Sequence, residues 1–477
     1  MQHLKRSLGF STTTAIVIGG IIGSGIFMKP AVMANQLGSA PLLITVWIVA
    51  GLITLFGALS NAEVAGMFPE TGGQYVFFNK MYGPFFSFLY GWSAFAVFNT
   101  AGTASIAFLC AEYANYFLHL PRLNESVESS VFLPLPGIGK VYPLQNLGVK
   151  ALTTAFILVF TWINYRSVLF GATAQRMLTA IKLIAIFLLI AGLFGSDKGS
   201  LAHVTQTTGL PEGIWAISGF MAAIGGAFWA YDGWNNITFI AGEIKQPQQT
   251  IPRSLMLSMF VCIATYVSVN MAFLYVLPVN EMASSRFVAS EAAAVAWGFA
   301  GGTVIAILVV LTTLGTSNSN VLATARVTLA WCRESNLSSR AGKVHSRNNT
   351  PGNALLINAG WTILLIFSGS FDMLTDMLIF VSWFFYMMSG IGLFVIRYKF
   401  PDHERPYRVW GYPMVPGIFI IFAATFLFVT LYNDIGAYLD GKSNFINSVF
   451  GIVITAAGIP LYFMTKYRNS RPNTSGN

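Results

Sequence analysis

The chain has 477 residues, of which 55% are hydrophobic, 14% aromatic and 9% charged, with a formal net charge of +9. Ordinary soluble domains carry about 25% charged residues, so this composition excludes a soluble fold and specifies a polytopic membrane protein. The positive balance then reads as Lys and Arg in cytoplasmic loops, not as a nucleic-acid surface, and Cys110, Cys262 and Cys332 give neither a disulfide framework nor a metal-ligand spacing.

Met1 to Phe10 is short and basic, and the apolar run after it is too long for a signal-peptide core, so no cleavable leader is expected. That run, from about Ser11 to Leu37, is long enough to cross a bilayer. It contains Gly19-Gly20-Ile21-Ile22-Gly23-Ser24-Gly25, four glycines in seven residues. Each glycine costs roughly 1 kcal/mol against Ala inside a helix. In hydrocarbon an unpaired backbone group costs several kcal/mol, so a broken helix persists only where protein or a cavity covers it. The stretch poses the question of what satisfies its backbone.

Eleven further apolar stretches follow at about 41–66, 84–118, 147–165, 173–195, 214–242, 254–277, 301–331, 352–369, 373–396, 413–432 and 447–465. With the N-terminus inside, 19 of the 27 Lys and Arg fall on cytoplasmic segments and flanks, seven fall outside and Lys182 is mid-span. This asymmetry sets both termini in the cytoplasm and supports an even number of spans. The loop 122–143 is expected to be external and to form a short cap, and the basic loop 333–351 to be internal.

The sixth stretch is broken as well. It reads Gly225-Gly226-Ala227-Phe228-Trp229-Ala230-Tyr231-Asp232-Gly233-Trp234-Asn235-Asn236, with an Asp at mid-span. An Asp there costs about 2.5–3.5 kcal/mol on insertion scales, which makes it a functional candidate by default. Breaks in spans one and six, five spans apart, are the mark of an inverted five-span repeat with a binding site at the midplane. The competing reading is that both glycine clusters only let helices pack closely.

These stretches carry a resemblance. Gly23-Ser24-Gly25-Ile26-Phe27, Phe68-Pro69-Glu70-Thr71-Gly72-Gly73-Gln74-Tyr75, Trp229-Ala230-Tyr231-Asp232-Gly233-Trp234-Asn235, Lys182-Leu183 and Glu404-Arg405-Pro406 occur in order across the chain. In them the chain resembles the amino acid-polyamine-organocation superfamily, and within it the L-amino acid transporter family with its bacterial serine/threonine and alanine exchangers. The resemblance implies an all-α integral membrane protein of twelve transmembrane helices in a 5+5 inverted-repeat (LeuT-like) fold, with helices one and six broken. The repeats would span 11–195 and 214–396, the extra helices 413–465, all in one transporter domain.

It also implies a substrate site. An amino acid offers a carboxylate, an ammonium and a side chain. The N–H groups of Gly23, Ser24 and Gly25, at the start of a half-helix, suit the carboxylate, and the Ser24 hydroxyl either adds a bond or packs. By resemblance, the ammonium meets carbonyls of Gly20 and Ile21 in span one and of Trp229, Ala230 and Asp232 in span six, with Asn235 in the same motif. The Asp232 side chain either contacts the ammonium or caps the second half of span six. Trp229 is a gate over the pocket or a core aromatic, and Trp383 falls where the family keeps an aromatic near the substrate. Lys182 matches a Lys that stands in for sodium in the sodium-independent branch, so it is expected to bond the Gly20–Gly23 carbonyls. The alternatives are a Lys that exchanges a proton or one that snorkels. The polar run Thr312, Thr313, Thr316, Ser317, Asn318, Ser319 and Asn320 either lines the route or packs; Glu63 and Glu112 are expected to make structural bonds; Lys29 is placed in the outer half of span one without a role.

The sequence departs from the animal members in two places. The external loop 119–145 has no Cys, so no disulfide-linked heavy chain is expected, and the chain would work alone as a monomer or weak homo-oligomer. Asp232 stands where large-neutral carriers keep a small residue, which points to small neutral cargo such as Ala, Ser or Thr. The expected function is a sodium-independent amino acid exchanger in the bacterial inner membrane, with an amino acid and the lipid bilayer as partners and no nucleic acid, cofactor, metal or enzymatic activity. The alternatives are a proton-coupled importer of amino acids or polyamines, and a membrane sensor that binds without transport.

Overall fold

In the computed structural model, residues 6, 8–23, 25–70, 72–166, 168–209, 214–335, 342–343 and 350–470 are described. Ser24 and Thr71 lie outside the described residues, as does most of the 333–351 loop. The chain runs through α1 Phe10–Ile21, α2 Gly25–Leu37, α3 Ala40–Met67, α4 Gln74–Tyr82, α5 Pro84–Leu118, α6 Leu147–Arg166 and α7 Val168–Phe194. It continues through α8 Ile214–Tyr231, α9 Pro247–Val276, α10 Val288–Glu334, α11 Gly352–Ser368, α12 Phe371–Lys399, α13 Met414–Leu439 and α14 Asn447–Tyr467. Local chemistry sets several ends. Ser39 Oγ accepts the Leu42 N–H at the start of α3, and Ser370 Oγ accepts the Met373 N–H at the start of α12. Arg397 and Lys399 sit in the last turn of α12, where the helix dipole favours cations.

Among the described residues eight helices are long and apolar enough to cross a membrane, and α1 with α2, bent by 46°, makes a ninth if the pair is one span. Helices also occupy the other predicted stretches, as α7, α8 and α11. α10 is two helices joined at the non-helical Gly298, with φ +76°, and the second of them covers the expected span 301–331. Among the described residues the regular structure is helical as expected apart from one small hairpin, Leu133–Leu135 paired with Gly139–Val141.

The two broken elements lie side by side. α2 packs along α8, α1 along α9, and α9 along α3. Charge fixes α3 to α12: the fully buried Glu63 accepts from Arg397 Nε and Nη2 at 2.9 and 2.8 Å and from the Val409 N–H at 2.7 Å. Arg405, from the Glu404-Arg405-Pro406 motif, approaches the same carboxylate at 3.8 Å. Glu112 pairs with Arg286 at 2.7 Å.

The 119–146 loop is a folded cap. It holds a short helix, Glu125–Ser130, and the hairpin, whose free edge bonds to the 444–446 backbone through Lys140 N–H to Asn444 O and Ile446 N–H to Ile138 O, both 2.9 Å. Glu128 is buried beneath it, accepting from Arg122 Nη2 at 3.0 Å and from the Asn146 N–H at 3.1 Å. The Arg122 bond, against the opposing effect of burial, holds the Glu128 carboxyl below the ordinary carboxylate range. A carboxyl lowered in the fold stabilises above its ordinary pKa and loses that contribution as pH falls through the lowered value. Limited proteolysis should therefore cut the 119–146 loop faster in Glu128→Gln at neutral pH, and faster in the unmodified chain in acid. Equal cutting rates in both tests would show that the bond does not hold the cap.

Candidate functional site

The first break leaves carbonyls without helical partners. The last α1 bond runs from the Ile22 N–H to Ile18 O at 2.8 Å, and α2 restarts at Gly25. The carbonyls of Gly19, Gly20 and Ile21 are the orphan acceptors of a helix C-terminus. Lys182 Nζ donates to Gly19 O at 3.1 Å. Tyr266 OH lies 2.8 Å from Ile21 O. Gly20 O faces Gly233 so closely that a Cβ built on Gly233 would lie 2.8 Å from it.

The second break faces the first. α8 ends at Tyr231, the Asp232 N–H turns back to Trp229 O at 3.3 Å, and Gly233 takes φ +103°. That left-handed conformation is cheap only for glycine. The chain then continues as a 3-10 run, Trp234–Glu243, instead of restarting as an α-helix. A Cβ on Gly25 would lie 2.6 Å from Ala230 Cα, so the start of α2 rests on the end of α8 with no room for a side chain.

Tyr266 on α9 joins the two breaks. Its hydroxyl is 2.8 Å from Ile21 O and 2.8 Å from Ala230 O. A phenol has one hydrogen, so it serves one of these carbonyls at a time. The ring is held by Trp47 and Tyr231, with centroids 5.3 and 4.9 Å away, and Tyr231 OH is itself tied to Trp47 O at 3.0 Å. On the other side of the gap the N–H groups of Gly25, Ile26 and Phe27 have no acceptor among the described residues. The site thus presents backbone donors at one half-helix start and partly served carbonyls at two half-helix ends.

Several predicted side chains stand elsewhere than expected. Lys182 is buried at 3% exposure but bonds Gly19, one residue before the expected 20–23 stretch, and it lies beside Phe27, Ile305 and Thr312 in a narrow cleft. Asp232 forms no helix cap: Gly233 stands at the cap position and Asp232 Oδ1 accepts from Tyr386 OH at 2.7 Å. Trp383 does not line the break. It stacks on Phe228 at 3.5 Å and packs against Phe419 and Phe426 of α13, because its face of α12 is turned to that helix. Tyr386, about one turn later, is the α12 residue that bonds Asp232 at the break. Asn235 accepts from Asn61 Nδ2 at 2.7 Å, within a buried network that continues to Ser389 and Gln74. Trp229, at 9% exposure, is edge-on to Phe371 at 5.2 Å and borders Gly25. In the polar run of α10, Thr312 reaches the Lys182 cleft, while Asn318 and Asn320 bond across helices to Asn164 and Thr103.

Tyr266, Tyr386 and Asn61 are the residues the sequence did not single out. Tyr266 is one of 18 tyrosines, and nothing in its neighbours marks it; only the fold brings it between two breaks. Among the described residues no group of three or more His, Cys, Asp or Glu could hold a metal ion.

Residues 8–456 match the amino acid permease family. Over 470 residues the chain is 29% identical to the serine/threonine exchanger SteT of Bacillus subtilis, covering 98% of each. It is 29% identical over 475 residues to the human cystine/glutamate transporter, covering 98% of this chain and 87% of that one. It is 30% identical over 476 residues to the mouse large neutral amino acids transporter small subunit 2, covering 98% and 82%.

The contact between the breaks is testable by stability. Gly25→Ala must displace the Ala230 backbone and should cost about 1–3 kcal/mol. Tyr266→Phe strands a buried carbonyl and should cost about the same. Both should lower the thermal unfolding midpoint of the purified protein. An unchanged midpoint in Gly25→Ala would show that the two breaks do not touch.

Proposed function

We propose that this chain, which belongs to the amino acid permease family of the amino acid-polyamine-organocation superfamily, is an alternating-access exchanger of small neutral L-amino acids that needs no sodium. The observation that carries the reading is the apposition of the two breaks. The carboxylate meets the N–H groups that begin α2, where orphan donors and the helix dipole favour an anion. The ammonium meets the Gly20, Ile21 and Ala230 carbonyls, replacing the single Tyr266 hydrogen that two of them share. Glycine at positions 23 and 25 lets the carboxylate come close to the backbone.

Lys182 supplies a fixed positive charge at the end of α1, where sodium-coupled members of this fold hold a cation. It rests on a neutral carbonyl, and a built-in cation at that place removes the need for an imported one. The same observation supports the second reading, a proton-coupled importer, because a buried Lys whose partner among the described residues is a neutral carbonyl can give up its proton. Small cargo follows from the crowding around the breaks: Trp229 and Phe371 on one side, Asp232 and Tyr386 on the other. The relatives named above are an exchanger of serine and threonine, a cystine/glutamate transporter and a large-neutral transporter, which supports amino acid exchange and leaves the side chain open.

The topology we propose has twelve crossings, with two five-helix repeats over 11–195 and 214–396 and two extra helices after them. Both termini face the cytoplasm of a bacterial inner membrane. The chain works without a disulfide-linked partner, as a monomer or weak homo-oligomer, and is neither an enzyme nor a sensor that only binds.

Liposomes loaded with Ser or Ala test this. Labelled Ser should enter only when an internal amino acid is present, with rates unchanged by sodium or by a pH gradient. Lys182→Ala should reduce exchange about tenfold or more, the effect of losing a charge-assisted bond of roughly 1.5–3 kcal/mol. Uptake into empty liposomes driven by a pH gradient would favour the importer. Binding with no flux would favour the sensor, and unchanged exchange in Lys182→Ala would remove Lys182 from the mechanism.

A further inference from the structure

We infer that a basic cavity between the start of α1 and the start of α9 binds a phosphate group, carried by an anionic lipid or free in solution. This site lies outside the transport reading and does not depend on it. The cavity has a volume of about 330 Å³, within the range of small-molecule sites. Gly9 and Phe10 line it from the side of α1, and Lys245, Gln249, Thr250 and Arg253 from the side of α9. Gln249 and Arg253 are four residues apart, so they share one face of α9. Of the lining side chains two are cations, two carry amides and none is acidic.

The two cations lack a counter-charge. Lys245 and Arg253 are exposed, and among the described residues neither side chain makes an ion pair or a hydrogen bond. Lys29, Arg286 and Arg397 each face a carboxylate instead. Glu243, two residues before Lys245, pairs with neither cation. Like charges on one cavity repel, and an anion between them turns repulsion into attraction. A phosphate suits these donors. Its several oxygens accept charge-assisted bonds from an ammonium and a guanidinium together, and the amides of Gln246 and Gln249 add neutral donors.

The walls are fixed while the cationic side chains stay free. The Leu8 N–H donates to Glu243 O at 3.0 Å, and the Lys245 N–H donates to Leu8 O at 2.8 Å. Thr250 Oγ1 donates to Lys245 O at 2.7 Å, and Ser254 Oγ donates to Phe10 O at 3.5 Å. The backbone of Lys245 is thus held from both helices. A Cβ on Gly9 would meet nothing within 4 Å, so that wall is open to a ligand. The cavity exceeds the size of a bare phosphate and leaves room for the glycerol of a headgroup. In the topology proposed above it lies at the cytoplasmic ends of two spans, where basic pockets between helices hold anionic headgroups. A phosphate here touches both α1 and α9, so it ties the inner half of the first broken span to α9.

Binding is read as the thermal unfolding midpoint of the purified full-length protein in a neutral detergent. Phosphatidylglycerol, phosphatidylcholine or inorganic phosphate is added in separate titrations. Phosphatidylglycerol should raise the midpoint in a saturable way, less at high salt. Phosphatidylcholine, whose phosphate carries its own cation, should act far more weakly. Lys245→Gln and Arg253→Gln should each raise the concentration needed for half the effect about fivefold, the weight of one basic residue at an anionic headgroup. The two together should raise it further, and Lys245→Arg should stay near the parent. These side chains make no bond among the described residues, so the midpoints without ligand should match the parent. Arg408 is exposed and does not line the cavity, so Arg408→Gln should bind as the parent does. An effect of the lipid alone assigns the site to a headgroup, and a matching effect of inorganic phosphate assigns it to free phosphate as well. No shift with either, or an equal loss in Arg408→Gln and in the cavity variants, overturns the site.

Discussion

A backbone group inside a membrane protein has to be bonded, and this chain frees several of them in one place. The two breaks end α1 and α8 and release carbonyls at the gap, while the start of α2 releases N–H groups. Two contributions serve the carbonyls: Lys182 reaches Gly19 from α7, and Tyr266 reaches Ile21 and Ala230 from α9. Gly20 O packs against Gly233 with no donor among the described residues. Cations and hydroxyl donors at a helix C-terminus also agree with its dipole. The supply is incomplete, because one phenol hydrogen is shared by two carbonyls. An incomplete supply beside a row of free N–H groups is what a zwitterion can complete.

The surrounding structure keeps this gap from collapsing or drifting. Glu63 binds Arg397 and the Val409 backbone, which fixes α3 to α12 beyond the break. The buried chain from Asn235 through Asn61 and Ser389 to Gln74 fixes the 3-10 segment below the second break to α3, α12 and the Gln74–Tyr82 helix. That gives the Phe68–Tyr75 motif a physical reason: a Cβ on Gly73, at φ +52°, would lie 2.5 Å from Thr238 Oγ1, so the turn packs directly on the segment after the break. Lys29 adds a tie between α2 and α12, donating to Asp372 at 2.8 Å and to Thr375 at 2.9 Å.

Much of this was legible in the residues, because local composition dictated it. The apolar stretches fall on helices, and both breaks fall inside the glycine-bearing stretches, although Gly19, Gly20, Gly225 and Gly226 themselves stay helical and the chain leaves the helix only after Ile21 and Tyr231; the bond of Lys182 to the span one backbone followed from the family resemblance. What was not legible depends on rotation about a helix axis. Successive residues of a helix point about 100° apart, so an offset of a few positions decides what a side chain meets. Trp383 was placed near the substrate but faces α13, and Tyr386 occupies the place at Asp232 instead. Asp232 was weighed as a cap because Asp serves well at helix starts; a tyrosine from a helix more than 150 residues away bonds it instead. Lys29 was placed in the outer half of span one but given no partner, since its partners lie more than 340 residues on.

The central claim is that the backbone at the two breaks binds the two charged ends of an amino acid. An experimental structure with serine bound tests it most directly. The account predicts the carboxylate oxygens within about 3.2 Å of N–H groups in the 23–27 stretch, with the ammonium equally close to the Ile21 or Ala230 carbonyl and the Tyr266 hydroxyl displaced from at least one of them. Serine bound elsewhere, or held at the breaks through side chains alone with both Tyr266 bonds intact, would contradict it.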